Sequence, residues 1–158
     1  MVRDEVLEIF LQPGEFYFGE NNTRIRTLLG SCVAVTLWHP GRHIGGMCHY
    51  MLPERPSSGA GAPLDGRYAD EAIQLFLREL RASRTRPAEY QEKLFGGGNM
   101  FAGSPPARRP LNISVRNVEV GRHLIRQHGF RLAAEDLGGK VHRNVMLDLW
   151  NGDVWVRR

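Results

Sequence analysis

The sequence predicts an α+β fold: a layered β-sheet system flanked by two main helices. Short β-branched and apolar runs outnumber helical stretches, and several follow one another directly along the chain. Gly and Pro punctuate them at short intervals. Only two segments carry apolar residues clearly at helical spacing.

Val6 to Leu11 reads as a first strand, ended by Pro13-Gly14, and a polar stretch around Asn21-Asn22 follows. Thr27-Leu28-Leu29-Gly30-Ser31-Cys32 then leads into Val33 to Trp38, a β-branched run of the buried type. His39-Pro40-Gly41 makes a turn and His43 to Leu52 a returning strand, so the two runs predict a hairpin. Glu54 to Gly66, rich in Pro, Ser, Gly and Ala, is a loop. Tyr68 to Ser83 is the clearest helix, with Ala69, Ala72, Ile73, Phe76, Leu77 and Leu80 on one face. Glu89 to Phe95 suggests a strand, stopped by Gly96-Gly97-Gly98, and Ser104 to Pro110 a second loop. A second helix is expected from an N-cap at Ser114 to just before Gly129. Three short strands close the chain: Phe130 to Ala134, Val141 to Leu149, and Val154 to Val156. Asn151-Gly152 marks a hairpin between the last two.

The 158 residues fit one domain spanning 1–158. With 42% apolar and 24% charged residues, wholesale disorder is excluded. No apolar run approaches the roughly 20 residues of a membrane span. The opening MVRDEVLEIF lacks the apolar core of a signal peptide, so a cytoplasmic location is expected. The net charge is +4, and 19 of the 21 basic residues are scattered arginines. No run of five like charges occurs, so nucleic acid is not an expected partner.

Cys32 is the most informative position. It follows Gly30-Ser31 at a loop-to-strand boundary, where backbone N–H groups are free to bind an oxyanion. A thiol there needs a base. His49, 17 residues on, lies in the strand that returns through the turn, and antiparallel pairing carries it back toward Cys32. The alternative for such a cysteine is a buried apolar role. Cys48 precedes His49 directly, so on a strand it faces the opposite way and reads as structural. A Cys32–Cys48 disulfide would silence the nucleophile, and a reducing compartment argues against it. His39 and His43 flank the turn, and no recognised metal-ligand spacing links them to His49 or the cysteines, so no metal is expected. Gly96-Gly97-Gly98-Asn99 lacks a phosphate-loop pattern and reads as a close backbone approach or an irregular strand end. Glu135-Asp136 reads as part of a polar turn.

Several blocks together closely resemble the CheD family of bacterial chemotaxis. They are Thr27-Leu28-Leu29-Gly30-Ser31-Cys32-Val33-Ala34-Val35 and Gly45-Gly46-Met47-Cys48-His49-Tyr50-Met51-Leu52-Pro53. Further along come Arg67-Tyr68-Ala69-Asp70, Phe95-Gly96-Gly97-Gly98-Asn99-Met100-Phe101, Asn112-Ile113 with Arg116-Asn117-Val118, and Ala134-Glu135-Asp136-Leu137-Gly138-Gly139. They stand in family order and cover nearly the whole chain.

The resemblance implies a layered fold similar to cytotoxic necrotizing factor deamidases, and deamidation of glutamines on methyl-accepting chemotaxis receptors. It places the family's catalytic cysteine on Cys32, its histidine on His49 and its third residue, a threonine, on Thr27. Ser31 and Gly30 would give backbone support to the oxyanion. It implies no cofactor, a monomer associated with receptor arrays, and the cytoplasmic helical domain of the receptors as partner. Family members also bind CheC, a phosphatase of CheY, so a regulatory role through CheC is an alternative. Methylesterase activity at the same site is a third. The expected chemistry is a thiolate–imidazolium pair of Cys32 and His49 acting through a thioester.

Overall fold

A computed structural model describes residues 5–57, 61–100 and 112–158. Among these, nine strands form two sheets and two helices lie against one of them. The strands are β1 (Leu7–Leu11), β2 (Phe16–Glu20), β3 (Thr23–Leu29), β4 (Val33–Trp38), β5 (Ile44–Tyr50), β6 (Gln91–Gly96), β7 (Arg131–Leu137), β8 (Arg143–Asp148) and β9 (Val154–Arg157). The helices are α1 (Ala69–Ala82) and α2 (Ile113–Gln127). One sheet has the order β1-β3-β8-β9 and the other β2-β5-β4-β6-β7.

The expected hairpin forms, with Val33 opposite Tyr50 and Trp38 opposite Gly45. β4 also pairs antiparallel with β6. β6 and β7 run parallel, which requires a crossover, and α2 lies within it. Because side chains alternate across a strand, the five-stranded sheet has two apolar faces. Val33, Val35, Cys48, Tyr50 and Leu94 pack against Ala69, Ile73 and Phe76 of α1 and Leu124 and Ile125 of α2. Ala34, Met47 and Phe95 face the other sheet and meet Ile25, Leu29, Val145 and Leu147. Every residue of β5 is buried, as expected of a strand covered on both faces.

Two strands depart from the expected pattern. Thr23–Leu29 is a full strand with inward Thr23, Ile25, Thr27 and Leu29 alternating with outward-pointing neighbours. Threonines at two of the inward positions disguise the apolar period. Phe16–Glu20 is a half-buried edge strand containing a glycine, and its alternation is weak. The second helix begins at Ile113 with Asn112 as N-cap, so Ser114 is a buried first-turn residue and not the cap. Glu135-Asp136, expected in a polar turn, belong instead to β7, which runs on to Leu137. The loop Ser104 to Pro110 lies outside the described residues. The Asn151-Gly152 turn forms, with Gly152 at φ +79° and the Asp153 N–H donating to Asn151 Oδ1 at 2.9 Å.

Glu92 of β6 is fully buried opposite Leu37, and neither carboxylate oxygen has a partner among the described residues. Burial pushes its pKa up to about 9, so the carboxyl is held neutral.

Candidate active site

The layer between the sheets is mostly apolar, and at one end of it a polar pair meets. There, Thr27 of β3 and His49 of β5 face each other, both essentially inaccessible to solvent. Thr27 Oγ1 donates to the Leu11 carbonyl at 2.8 Å and lies 2.7 Å from His49 Nδ1. A hydroxyl has one proton to give. With that proton on Leu11, the contact to His49 is satisfied by Nδ1–H donating to Oγ1. The neutral ring then carries its lone pair on Nε2, and Nε2 has no partner among the described residues.

Cys32 stands just ahead of β4, half-buried, against the same inter-sheet cluster. Ala34 is directly opposite His49 in the ladder. Cys32, two residues before Ala34, and His49 therefore share one face of the sheet. Cys48 takes the other face and is buried in the helix-side core, where desolvation raises its pKa to about 12. Both cysteines are free thiols.

Desolvation also sets the protonation of the site. It lowers the His49 pKa to about 4 and raises that of the Cys32 thiol. Burial thus works against the charged form of each group, the Cys32 thiolate and the His49 imidazolium alike. No fixed counter-charge contributes to either shift.

The loop before Cys32 is held by its carbonyls. Gly98 N–H donates to the Gly30 carbonyl at 2.9 Å and Gly97 N–H to the Cys32 carbonyl at 2.8 Å. The Ser31 carbonyl takes a longer bond, 3.4 Å, from Asn117 Nδ2. The N–H groups of Ser31 and Cys32 have no hydrogen-bond partner among the described residues. The glycine run is thus a close backbone approach: a Cβ on Gly96 would collide with the Cys32 carbonyl, and Gly97 sits at φ +65°. Arg143, 3% exposed, braces this corner by donating to the Gly96 and Gly138 carbonyls and to Asp136.

Other residues weighed from the sequence lie elsewhere. His39 is 3.5 Å from Glu89, and His43 stacks on Trp38. Asp136 pairs with Arg143 and Arg158, and Glu135 with Arg122. No group of three or more His, Cys, Asp or Glu residues is placed to hold a metal ion among the described residues. Asn117 was not among the expected site residues, although it stands in the Arg116-Asn117-Val118 block; its further signal is a polar residue on the buried face of a helix. No described helix is long and apolar enough to cross a membrane.

The family model described as "CheD chemotactic sensory transduction" matches residues 51–158. Two relatives extend the similarity over the segment that holds Cys32 and His49. "Probable chemoreceptor glutamine deamidase CheD 3" of Dechloromonas aromatica is 54% identical, over 96% of this chain and 88% of its own. "Probable chemoreceptor glutamine deamidase CheD" of Pseudomonas savastanoi pv. phaseolicola is also 54% identical, over 96% and 85%. Among solved structures, that of Bacillus licheniformis hypothetical protein YfiH aligns with a TM-score of 0.48 at 16% identity, over 76% of this chain and 49% of that one. With a family model matched across most of the chain and relatives identical at every second position, this chain belongs to the CheD family.

Proposed function

We propose that this protein hydrolyses glutamine side-chain amides of chemotaxis receptors to glutamate and ammonia. Cys32 is the nucleophile, His49 the general base and acid, and Thr27 the group that orients His49. The observation that carries the reading is the 2.7 Å Thr27–His49 contact, which leaves the Nε2 lone pair on the sheet face shared with Cys32. The names of the relatives supply the substrate class.

The reaction starts from the neutral pair. As Sγ attacks the amide carbon, His49 Nε2 takes the thiol proton. Charge therefore develops only when the substrate is in place, which suits a site that disfavours resting ions. The oxyanion is met by the unpartnered N–H groups of Cys32 and Ser31, with Gly30 shaping the approach. One such donor is worth about 2.7–4 kcal/mol. His49 returns the proton to the amide nitrogen, the C–N bond breaks, and ammonia leaves a thioester. Water attacks the thioester carbon, giving a proton to Nε2. The C–S bond breaks, the thiolate recovers that proton, and glutamate is released.

The test is mass spectrometry of a receptor cytoplasmic fragment incubated with wild type and with Cys32→Ala. The expected result is a gain of one dalton at defined glutamines with wild type only. Equal conversion by Cys32→Ala would remove the nucleophile, and no conversion by wild type would remove the deamidase reading.

A further inference from the structure

Asn117 is fully buried on α2, the helix that packs on the far side of the sheet from His49. Its Nδ2 donates to two carbonyls, Met51 at 2.9 Å and Ser31 at 3.4 Å. Met51 follows the strand of His49; Ser31 precedes Cys32. Its backbone carbonyl accepts from the Tyr50 hydroxyl, which fixes α2 to the same strand. Its Oδ1 is buried without a partner among the described residues. An apolar residue at this helix position would remove the unpartnered Oδ1, but the Ser31 and Met51 carbonyls would lose their donor. Packing alone therefore does not explain an asparagine there; its two donated bonds do.

We infer that Asn117 is a positioning residue that sets the direction of the oxyanion-binding N–H groups. The argument is the geometry of a trans peptide, in which C=O and N–H point in opposite directions. Pulling the Ser31 carbonyl toward the helix layer turns the Cys32 N–H toward the opposite face, where His49 lies. Gly98 and Gly97 hold the neighbouring carbonyls of Gly30 and Cys32, so the loop spends its acceptors on the scaffold and keeps its donors. The bond that Asn117 donates to the Met51 carbonyl ties this loop to the strand end that carries His49, so nucleophile and base are registered to one amide. This inference rests on the deamidase reading and adds a residue that touches none of the reacting atoms.

The test is Asn117→Leu, which keeps the branched shape and removes the donors, with Asn117→Ala beside it should the first fail to fold. Iodoacetamide titration of Cys32 counts folded sites, and ammonia release from a receptor fragment is expressed per titrated site. The expected result is a kcat about ten- to a hundredfold lower, less than the loss of a whole oxyanion donor, with KM and the Cys32 alkylation rate unchanged. A purely structural residue would lower the melting temperature and leave kcat per site at the wild-type value, which overturns the inference. An alkylation rate falling in step with kcat also overturns it, because the defect then lies in the thiol and its base. No ammonia from wild type overturns the deamidase reading itself, and the inference with it.

Discussion

Thr27 and His49 belong to different sheets, and their side chains meet at 2.7 Å across the buried layer between them. The hydroxyl is itself tied to the Leu11 carbonyl at the end of β1. The tautomer of the histidine is therefore set by three strands at once. A Thr27→Val variant keeps the shape and removes the acceptor. It should lower kcat about a hundredfold, toward the low end of what a general base supplies, while Thr27→Ser retains most activity. Ammonia release per folded protein is the readout; an active Thr27→Val enzyme would show that the ring needs no orientation.

The pH dependence follows from the displaced histidine. With a pKa lowered to about 4, His49 remains a neutral base far below the usual imidazole range. The acid limb of kcat/KM should therefore fall near pH 4 and not near 6.5. Stability has the same origin. Below pH 6.5 the unfolded chain takes up a proton that the folded one refuses, so the His49 contribution is complete above 6.5 and is lost as pH falls through about 4. A pH–rate profile with the midpoint at 6.5 would contradict the buried, neutral ring.

Glu92 acts in the opposite sense. Its folded pKa of about 9 lies above the ordinary carboxyl value, so the folded protein holds a proton that the unfolded one has lost. The stability it lends is complete below about pH 4.5 and is lost as pH rises through 9, with a slope of at most about 1.4 kcal/mol per pH unit. Glu92→Gln removes that slope. Melting temperatures of the two proteins between pH 6.5 and 9, above the His49 window, should diverge steadily in favour of the variant.

Gly97 joins a conformational demand to a steric one. It sits at φ +65°, and a Cβ there would strike Cγ2 of Val118 on α2. Gly97→Ala should cost more than about 1 kcal/mol of stability and should also lower kcat, because the displaced N–H no longer holds the Cys32 carbonyl. Thermal melting and turnover per titrated thiol separate the two losses; a wild-type kcat would show that the carbonyl needs no such anchor.

Local signals carried the reading where they were dense. The β-branched run Val33 to Trp38, its turn and the returning strand gave the hairpin and the return of His49 toward the start of its first strand; the exact register, His49 opposite Ala34, came only with the structure. α1 was legible because its apolar stripe is uninterrupted. β3 was not, since its inward threonines count as polar in any hydropathy pattern; one of them, Thr27, finds its hydroxyl partners in Leu11 and His49, which are remote in sequence. The protonation of Cys32 and His49 was equally hidden. The desolvation that acts on both groups depends on how the two sheets pack, which no local pattern shows. Asn117 needed the three-dimensional path of α2, because the groups it bonds lie 66 and 86 positions away.

The alternation of β5 has one more result. Cys48 points into the helix-side core and Cys32 lies on the opposite side of the sheet. If an oxidant converts Cys32 to a sulfenic acid, the chain holds no second thiol that reaches it, since Cys48 would have to pass through the sheet. Oxidative damage at this proposed nucleophile must then be reversed by a thiol from solution, and overoxidation has no internal brake.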